Sequence, residues 1–107
     1  MMGQYKDIEA SRLSEAADEL QQYVPVDVRT DEEYQEGHIP GAIHIPHDQM
    51  EARYEELAPH KGKKILLICR SGRRSVVAAQ VLAARGYTEL YNLKGGMLEW
   101  TGPQTKE

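Results

Sequence analysis

The chain has 107 residues, of which 40% are hydrophobic and 28% charged, and its formal net charge is −4. This length fits one domain with one core, and the composition is that of a globular chain and not a disordered one. No apolar run approaches the roughly 20 residues that span a bilayer, and the N-terminus lacks a secretory apolar segment. The negative charge argues against general nucleic-acid binding. We expect a single cytoplasmic domain over residues 1–107, with neither membrane nor nucleic acid as a partner.

The first half of the chain predicts three short strands separated by helices. Apolar residues between Leu13 and Leu20 recur at i, i+3, i+4 and i+7, the spacing of one helix face. Thr30 and Glu33 match a capping box that begins a short helix, and a glycine follows it. The strands are predicted at residues 5–8, 23–29 and 42–45. Pro25 should lie near the start of the second, because proline cannot donate to a strand ladder.

The second half predicts a helix through Tyr54 that Pro59 stops, and then a strand over residues 65–68. That strand is continuously apolar, as in a central parallel strand buried on both faces. A helix over Ser75–Arg85, a strand over residues 90–93 and a last element from Gly95 follow, and the tail after residue 101 should fray. Strands alternating with helices indicate an α/β fold, with a mostly parallel central sheet flanked by helices and a core over about residues 5–101.

The only cysteine, Cys69, directly follows the predicted central strand. A lone cysteine excludes an intrachain disulfide and a Cys-rich metal site within one chain. Ligands of open α/β sheets bind at the carboxyl ends of strands. There Gly72 allows the loop amides to curl into an anion-binding nest, and the start of the next helix adds unpaired N–H groups. Such settings lower a cysteine pKa from about 8.5 to roughly 3.5–7.5.

Three arginines, Arg70, Arg73 and Arg74, surround this cysteine in sequence. A cysteine after an apolar strand is often only a small buried hydrophobe. That interpretation leaves the guanidiniums unexplained, because they repel one another unless an anion is present. We therefore expect a thiolate, favoured by the loop amides, the helix start and the arginines. It would attack a sulfane sulfur and carry it as a persulfide.

Three segments, in order, resemble the rhodanese family. Cys69–Ser75, with the sequence CRSGRRS, is similar to the active-site loop of single-domain rhodaneses. Residues 27–42 contain DVR, EY and GHIPGA, and residues 93–100 contain LKGGM and a tryptophan. The resemblance spans residues 27–100 and implies a rhodanese-like layered fold.

The resemblance also implies a function, a thiosulfate sulfurtransferase without a cofactor or metal. It would move sulfur from thiosulfate, a small anion, or from another persulfide donor, to cyanide or a thiol. Cys69 would be the nucleophile and sulfur carrier, and the backbone N–H groups of residues 70–75 would cradle the persulfide. Arg70 would attract the anionic donor, while Arg73 and Arg74 would line the pocket mouth. The implied substrate-binding residues are Arg70, Ser71, Gly72, Arg73, Arg74 and Ser75.

Two alternatives stay open. The same residues suit a sulfur-relay or regulatory module that passes persulfide to a partner protein. Cysteine-dependent phosphatases and arsenate reductases instead place an arginine after Cys and five intervening residues. Here Ser75 holds that position and Arg74 comes one residue early, so the loop should suit sulfur better than phosphate.

The other polar residues are expected to serve the scaffold. His44 and His47 flank Pro46, which makes a regular helix and a shared metal-binding face less favourable than a loop pair. His38 should make a structural hydrogen bond. Asp27 and Arg29 end a buried strand, and buried charges need partners.

We expect Arg29 to reach Glu33 or Glu36, and Asp27 to accept hydrogen bonds from neighbouring loops. Trp100 should plug the core.

Overall fold

The fold is built on a five-stranded sheet. The computed structural model describes residues 4–106. The strands run parallel in the order β1-β5-β4-β2-β3, and this arrangement confirms the predicted α/β class. The strands are β1 Lys6–Glu9, β2 Val24–Asp27, β3 Ile43–His44, β4 Ile65–Ile68 and β5 Leu90–Lys94.

Helices cover both faces of the sheet. They are α1 Ala10–Ser14, α2 Ala17–Leu20, α3 Asp31–Gln35, α4 Met50–Arg53 and α5 Arg74–Ala84. Short 3-10 segments occupy His47–Gln49, Tyr54–His60 and Gly96–Glu99. Within residues 4–106, no helix has the length and apolarity that a membrane crossing requires.

The central strand β4 separates two buried apolar layers. Successive strand residues point to opposite faces. Ile65, Leu67 and Cys69 therefore join the layer that packs under α5, while Leu66 and Ile68 join the layer with Leu93 and Trp100. This alternation carries the cysteine onto the α5 face, one residue beyond the end of the strand.

Several predicted helices are shorter than the sequence indicated. The apolar face from Leu13 to Leu20 belongs to two helices, because the backbone breaks at Ala16, whose φ and ψ are −127° and 72°. Pro59 does not stop a helix but lies inside the 3-10 segment Tyr54–His60.

Pro25 is the second residue of β2 and is opposite Leu66 of β4. The N–H groups of Val24 and Val28 point to β4, so the missing proline N–H would have pointed to the β3 side. β3 pairs only with Val26 and Asp27, which leaves that side of Pro25 without a ladder. The proline therefore costs the sheet no hydrogen bond.

The carboxyl end of β2 is fixed by a buried ion pair. The Arg29 guanidinium donates to both carboxylate oxygens of Asp27, at 2.8–3.1 Å, and to the Gly37 carbonyl at 2.7 Å. The expectation that Arg29 reaches Glu33 or Glu36 was wrong. Asp27 lies two residues away and is fully buried, so its charge has the greater need of a partner.

The capping box is confirmed. The Glu33 N–H donates to the Thr30 hydroxyl, and the Glu33 carboxylate accepts from the Thr30 N–H at 3.0 Å. Trp100 is 5% exposed within the core, as expected. The tail does not fray as expected, because Thr105 forms an antiparallel bridge with His38 through two backbone hydrogen bonds of 2.8 and 2.9 Å.

Replacing Asp27 with alanine should destabilise the fold by about 3–5 kcal/mol, because the buried Arg29 guanidinium loses its carboxylate partner. The matched control is Glu19→Ala, which breaks an exposed pair with Arg12 and should cost about 1 kcal/mol or less. Urea unfolding of both variants measures the difference. Equal costs would contradict the buried-pair argument.

Candidate active site

Cys69 is fully buried at the carboxyl end of β4. The loop after it turns back within four residues, and α5 begins at Arg74. The helix start lies one residue before the predicted Ser75. The sequence thus forms a strand–loop–helix unit in which the sulfur faces the first turn of α5.

Backbone amides surround the sulfur. Gly72 has φ of +91°, a left-handed conformation that favours glycine, and its N–H donates to Cys69 Sγ at 3.0 Å. The Ser75 hydroxyl lies 3.4 Å from the same sulfur. The backbone N–H groups of Ser71 and Ser75 also act on the sulfur and lower its pKa. The predicted nest therefore forms around the cysteine.

The pKa of the Cys69 thiol is lowered from its ordinary value. Burial is the largest single influence and opposes ionisation. It is outweighed by hydrogen bonds to the thiolate, which come from the Ser75 hydroxyl when it turns towards the sulfur and from the backbone of Ser75, Ser71 and Gly72. An arginine charge is not among the main causes of the lowered pKa. The depression comes from hydrogen bonds.

The three arginines have separate positions. Arg70 and Arg73 are exposed. Arg74 is half-buried and pairs with Glu33 of α3 at 3.0 Å, so most of its charge is already neutralised. Arg70 borders a cleft of about 300 Å³, and this position is consistent with attraction of an anion. The other residues that line the cleft are Arg29, Glu33, Glu36, Gly37, Met97, Leu98 and Gln104.

A second loop braces the first from behind. The Met97 N–H donates to the Cys69 carbonyl at 2.9 Å, and the Leu98 N–H donates to the Arg70 carbonyl at 3.0 Å. A Cβ atom on Gly96 would lie 2.5 Å from both carbonyl oxygens. For residues 93–100 the sequence predicted the end of a strand, a last element from Gly95 and a buried Trp100. Their structural task, two backbone bonds to the active loop, was missed.

Sequence reasoning also missed a buried polar chain behind the sulfur. Ser75 donates from its hydroxyl to the side-chain oxygen of Asn92. The Asn92 amide nitrogen donates in turn to the Asp7 carboxylate at 2.9 Å. A lone Asn within a predicted strand was the available signal, because a polar residue on a buried face needs partners.

The fold and the cysteine loop occur together in a known protein family. Residues 9–103 match the model of the family described as rhodanese-like domain. The chain belongs to the rhodanese family. The match covers both the cysteine loop and the brace behind it.

Named relatives share the family. This rhodanese-like chain is 44% identical over 77 residues to the putative sulfur carrier protein YrkF of Bacillus subtilis, and 37% identical over 97 residues to the putative sulfurtransferase YtwF of the same organism. It is 36% identical over 81 residues to the thiosulfate sulfurtransferase PspE of Escherichia coli. These alignments cover 72%, 91% and 76% of the chain, and 40%, 91% and 77% of the relatives. The relatives support sulfur transfer in general.

Solved structures show the same fold. A rhodanese-related protein from Thermoplasma volcanium superposes with a TM-score of 0.83 at 28% identity, over 96% of this chain and all of that one. A rhodanese with anions from E. coli gives 0.70 at 33% identity, over 79% and 99%. The layered fold inferred from the resemblance is confirmed.

Two histidines of this rhodanese-like chain, His38 and His44, make scaffold contacts with one tyrosine. His38 and His44 stack on opposite sides of Tyr34, with ring centroids 3.7 and 4.2 Å from the tyrosine ring. His38 Nδ1 bonds the Tyr34 carbonyl at 2.8 Å, as expected of a structural histidine, and His44 Nε2 bonds the Arg29 carbonyl at 2.9 Å. Over residues 4–106, no group of three or more His, Cys, Asp or Glu side chains is arranged to hold a metal ion.

The variant Gly96→Ala should destabilise the protein more than its backbone conformation alone explains. Gly41 is the control, because it also has positive φ but a Cβ there meets open space. Gly41→Ala should cost about 1–2 kcal/mol. Gly96→Ala should cost at least about twice that, since it pushes on the Cys69 and Arg70 carbonyls. Chemical unfolding measures both, and equal costs would show that the two loops do not touch as described.

Proposed function

We propose that this domain is a sulfurtransferase that moves sulfur from thiosulfate or another sulfane donor to cyanide or a thiol through a Cys69 persulfide. The observation that carries the proposal is the cradle itself. A cysteine with a lowered pKa faces several backbone N–H groups at the end of a strand. Donors fixed on the backbone stabilise an anionic sulfur without reorganisation. The likeness to PspE supports thiosulfate as the donor class.

The reaction takes two displacement steps. The Cys69 thiolate attacks the outer sulfur of thiosulfate, the S–S bond of the donor breaks, and its electron pair leaves on sulfite. The terminal sulfur now carries the negative charge on Cys69. Cyanide or a thiolate then attacks this sulfur, the new S–S bond breaks, and the pair returns to Cys69 Sγ. No external oxidant or reductant is consumed, so no cofactor is needed.

The position of each side chain around the sulfur suggests its role in the reaction. Cys69 is the nucleophile, and the amides of Ser71, Gly72 and Ser75 hold the terminal sulfur. Arg70 and Arg73 are exposed and meet the anionic donor from solvent. Arg74 is tied to Glu33, so we assign it to the pocket wall rather than to donor capture.

Residues 1–107 act as one functional unit in this proposal. The reduced, single cysteine suits the cytoplasm, where thiols are kept free.

A relay role is the second candidate. It is favoured by the 44% identity to YrkF, a putative sulfur carrier. In that role the acceptor is a thiol on a partner protein, and turnover with free cyanide is slow. The same persulfide serves both roles, so comparing free cyanide with a protein thiol as acceptor separates them. Phosphatase or arsenate reductase activity is disfavoured, because only four residues separate Cys69 from Arg74, one fewer than the phosphatase pattern requires.

Incubation with thiosulfate should add one sulfur atom to the native chain, and Cys69→Ser should gain none. The chain has no second cysteine to substitute. Intact-mass spectrometry reads the adduct, and cyanide should remove it with release of thiocyanate. Circular dichroism checks that the variant is folded. An adduct on the serine variant, or none on the native chain, would refute the proposal.

Arg70→Ala should weaken saturation with thiosulfate by about 1.5–3 kcal/mol, the worth of a hydrogen bond to a charged group. It should barely change the lifetime of a preloaded persulfide, which backbone amides hold. The control is Arg85→Ala, which removes an exposed arginine just past the far end of α5. Steady-state kinetics and a persulfide decay assay separate the two effects. Unchanged saturation with fast decay would reverse the assigned role.

A further inference from the structure

Asn92 is a polar residue on a buried face next to the sulfur. It is 4% exposed and lies on β5 opposite Leu67 of β4 and Asp7 of β1. Paired residues of parallel strands point to the same face, and Cys69 lies two residues beyond Leu67 on that face. The side chain of Asn92 is therefore directed at the layer that contains the cysteine and the first turn of α5.

Asp7 fixes the orientation of the Asn92 amide. The amide nitrogen donates to the Asp7 carboxylate at 2.9 Å. A flipped amide would place its oxygen against that carboxylate, and both groups only accept. The amide oxygen must therefore face Ser75. Since that oxygen cannot donate, the Ser75 hydroxyl supplies the proton of their hydrogen bond.

Ser75 thus has one proton and two neighbours that can accept it. Its oxygen also lies 3.4 Å from Cys69 Sγ. While the Ser75 hydroxyl donates its proton to the Asn92 amide oxygen, only its lone pairs face the sulfur. This arrangement suits a thiol, whose S–H can donate to them. Donation to a Cys69 thiolate requires the hydroxyl to rotate away from Asn92. The two acceptors therefore compete for one donor.

We propose that Asn92, oriented by Asp7, is a positioning residue that holds the Ser75 proton away from Cys69 during sulfur uptake and yields it to Sγ when Cys69 leaves the persulfide. This inference rests on the proposed function for its two catalytic steps. The hydrogen-bond competition itself needs no activity and is measurable on the thiol alone.

The two steps make opposite demands on the sulfur. In uptake Cys69 is the attacking thiolate, and nucleophilicity falls as the pKa of a thiol falls. In discharge the acceptor thiolate attacks the outer sulfur, the S–S bond breaks, its electron pair moves to Sγ, and the acceptor departs as a persulfide. A leaving thiolate of lower pKa departs faster. Rotation of the Ser75 hydroxyl meets both demands: it leaves the attacking thiolate without this donor during uptake and supplies the donor to the leaving thiolate during discharge.

The charged groups near the sulfur come from the loop, α5 and the neighbouring strands, and an Asn92 variant leaves all of them in place. They are Arg70, Arg73, Asp7 and the pairs Arg74–Glu33, Asp27–Arg29 and Glu9–Lys94. A change in the titration of Cys69 in Asn92→Ala therefore reports the Ser75 proton.

The test is the rate of iodoacetamide alkylation against pH on the full chain. The native midpoint should lie below about 8.5, the value of an ordinary cysteine. In Asn92→Ala the hydroxyl is free for the thiolate, so the midpoint should fall by about one further unit. In the Ser75→Ala background the same Asn92 substitution should change nothing. Asp7→Asn should lower the midpoint as well, and Glu9→Gln, on the same strand and face, should not.

The rates of sulfur uptake and discharge test the catalytic part of the proposal. At a pH where Cys69 is fully ionised, Asn92→Ala should attack thiosulfate about threefold more slowly, as expected for a one-unit fall in pKa. Its discharge should be unchanged, while Ser75→Ala should slow discharge and spare uptake.

An unchanged or raised midpoint in Asn92→Ala, or an equal shift without the Ser75 hydroxyl, would overturn the proposal. If Asn92→Ala fails to fold by circular dichroism, Asn92→Ser takes its place. A chain that forms no sulfur adduct would defeat the proposed function and leave the alkylation result standing.

Discussion

The site depends on the close approach of two backbones. Gly96 lies so near the Cys69 and Arg70 carbonyls that a single Cβ atom does not fit between them. This approach allows the N–H groups of Met97 and Leu98 to reach those carbonyls. With both carbonyls held from behind, the N–H groups of the loop are directed forward to the sulfur. The brace therefore sets the direction in which the loop presents its donors.

The source of the thiolate's stability follows from this geometry. Guanidinium groups exposed to solvent are screened by salt, so their charge does less for a buried sulfur than a direct hydrogen bond does. A backbone N–H at 3.0 Å acts at short range and cannot move away. In this loop the exposed arginines are thus suited to meeting an anion that arrives from outside. The negative charge on the sulfur is stabilised by hydrogen bonds from the Ser75 hydroxyl and the loop amides.

Much of this fold could be predicted because the decisive signals are local. The apolar run at residues 65–68, the glycine in the loop and the Thr30–Glu33 capping box each follow from short-range rules. Cys69 could be singled out because it directly follows the central strand. The partners of Asn92 and Gly96 could not be predicted, because each contact depends on which strands and loops become neighbours. The order β1-β5-β4 brings Asp7, 85 residues distant in sequence, to the amide of Asn92.

The antiparallel bridge between Thr105 and His38 has a consequence for anything joined to this chain. Gln104, the residue before the bridge, forms part of the wall of the cleft beside Arg70. A segment attached after Lys106 would thus begin within a few residues of the entrance to the cysteine loop. A thiol tethered there would be held beside the cleft at Arg70 at a high effective concentration, without any docking surface of its own. An affinity tag at that end would instead crowd the entrance, whereas the same tag before Gln4 would lead into β1 at the opposite end of its strand.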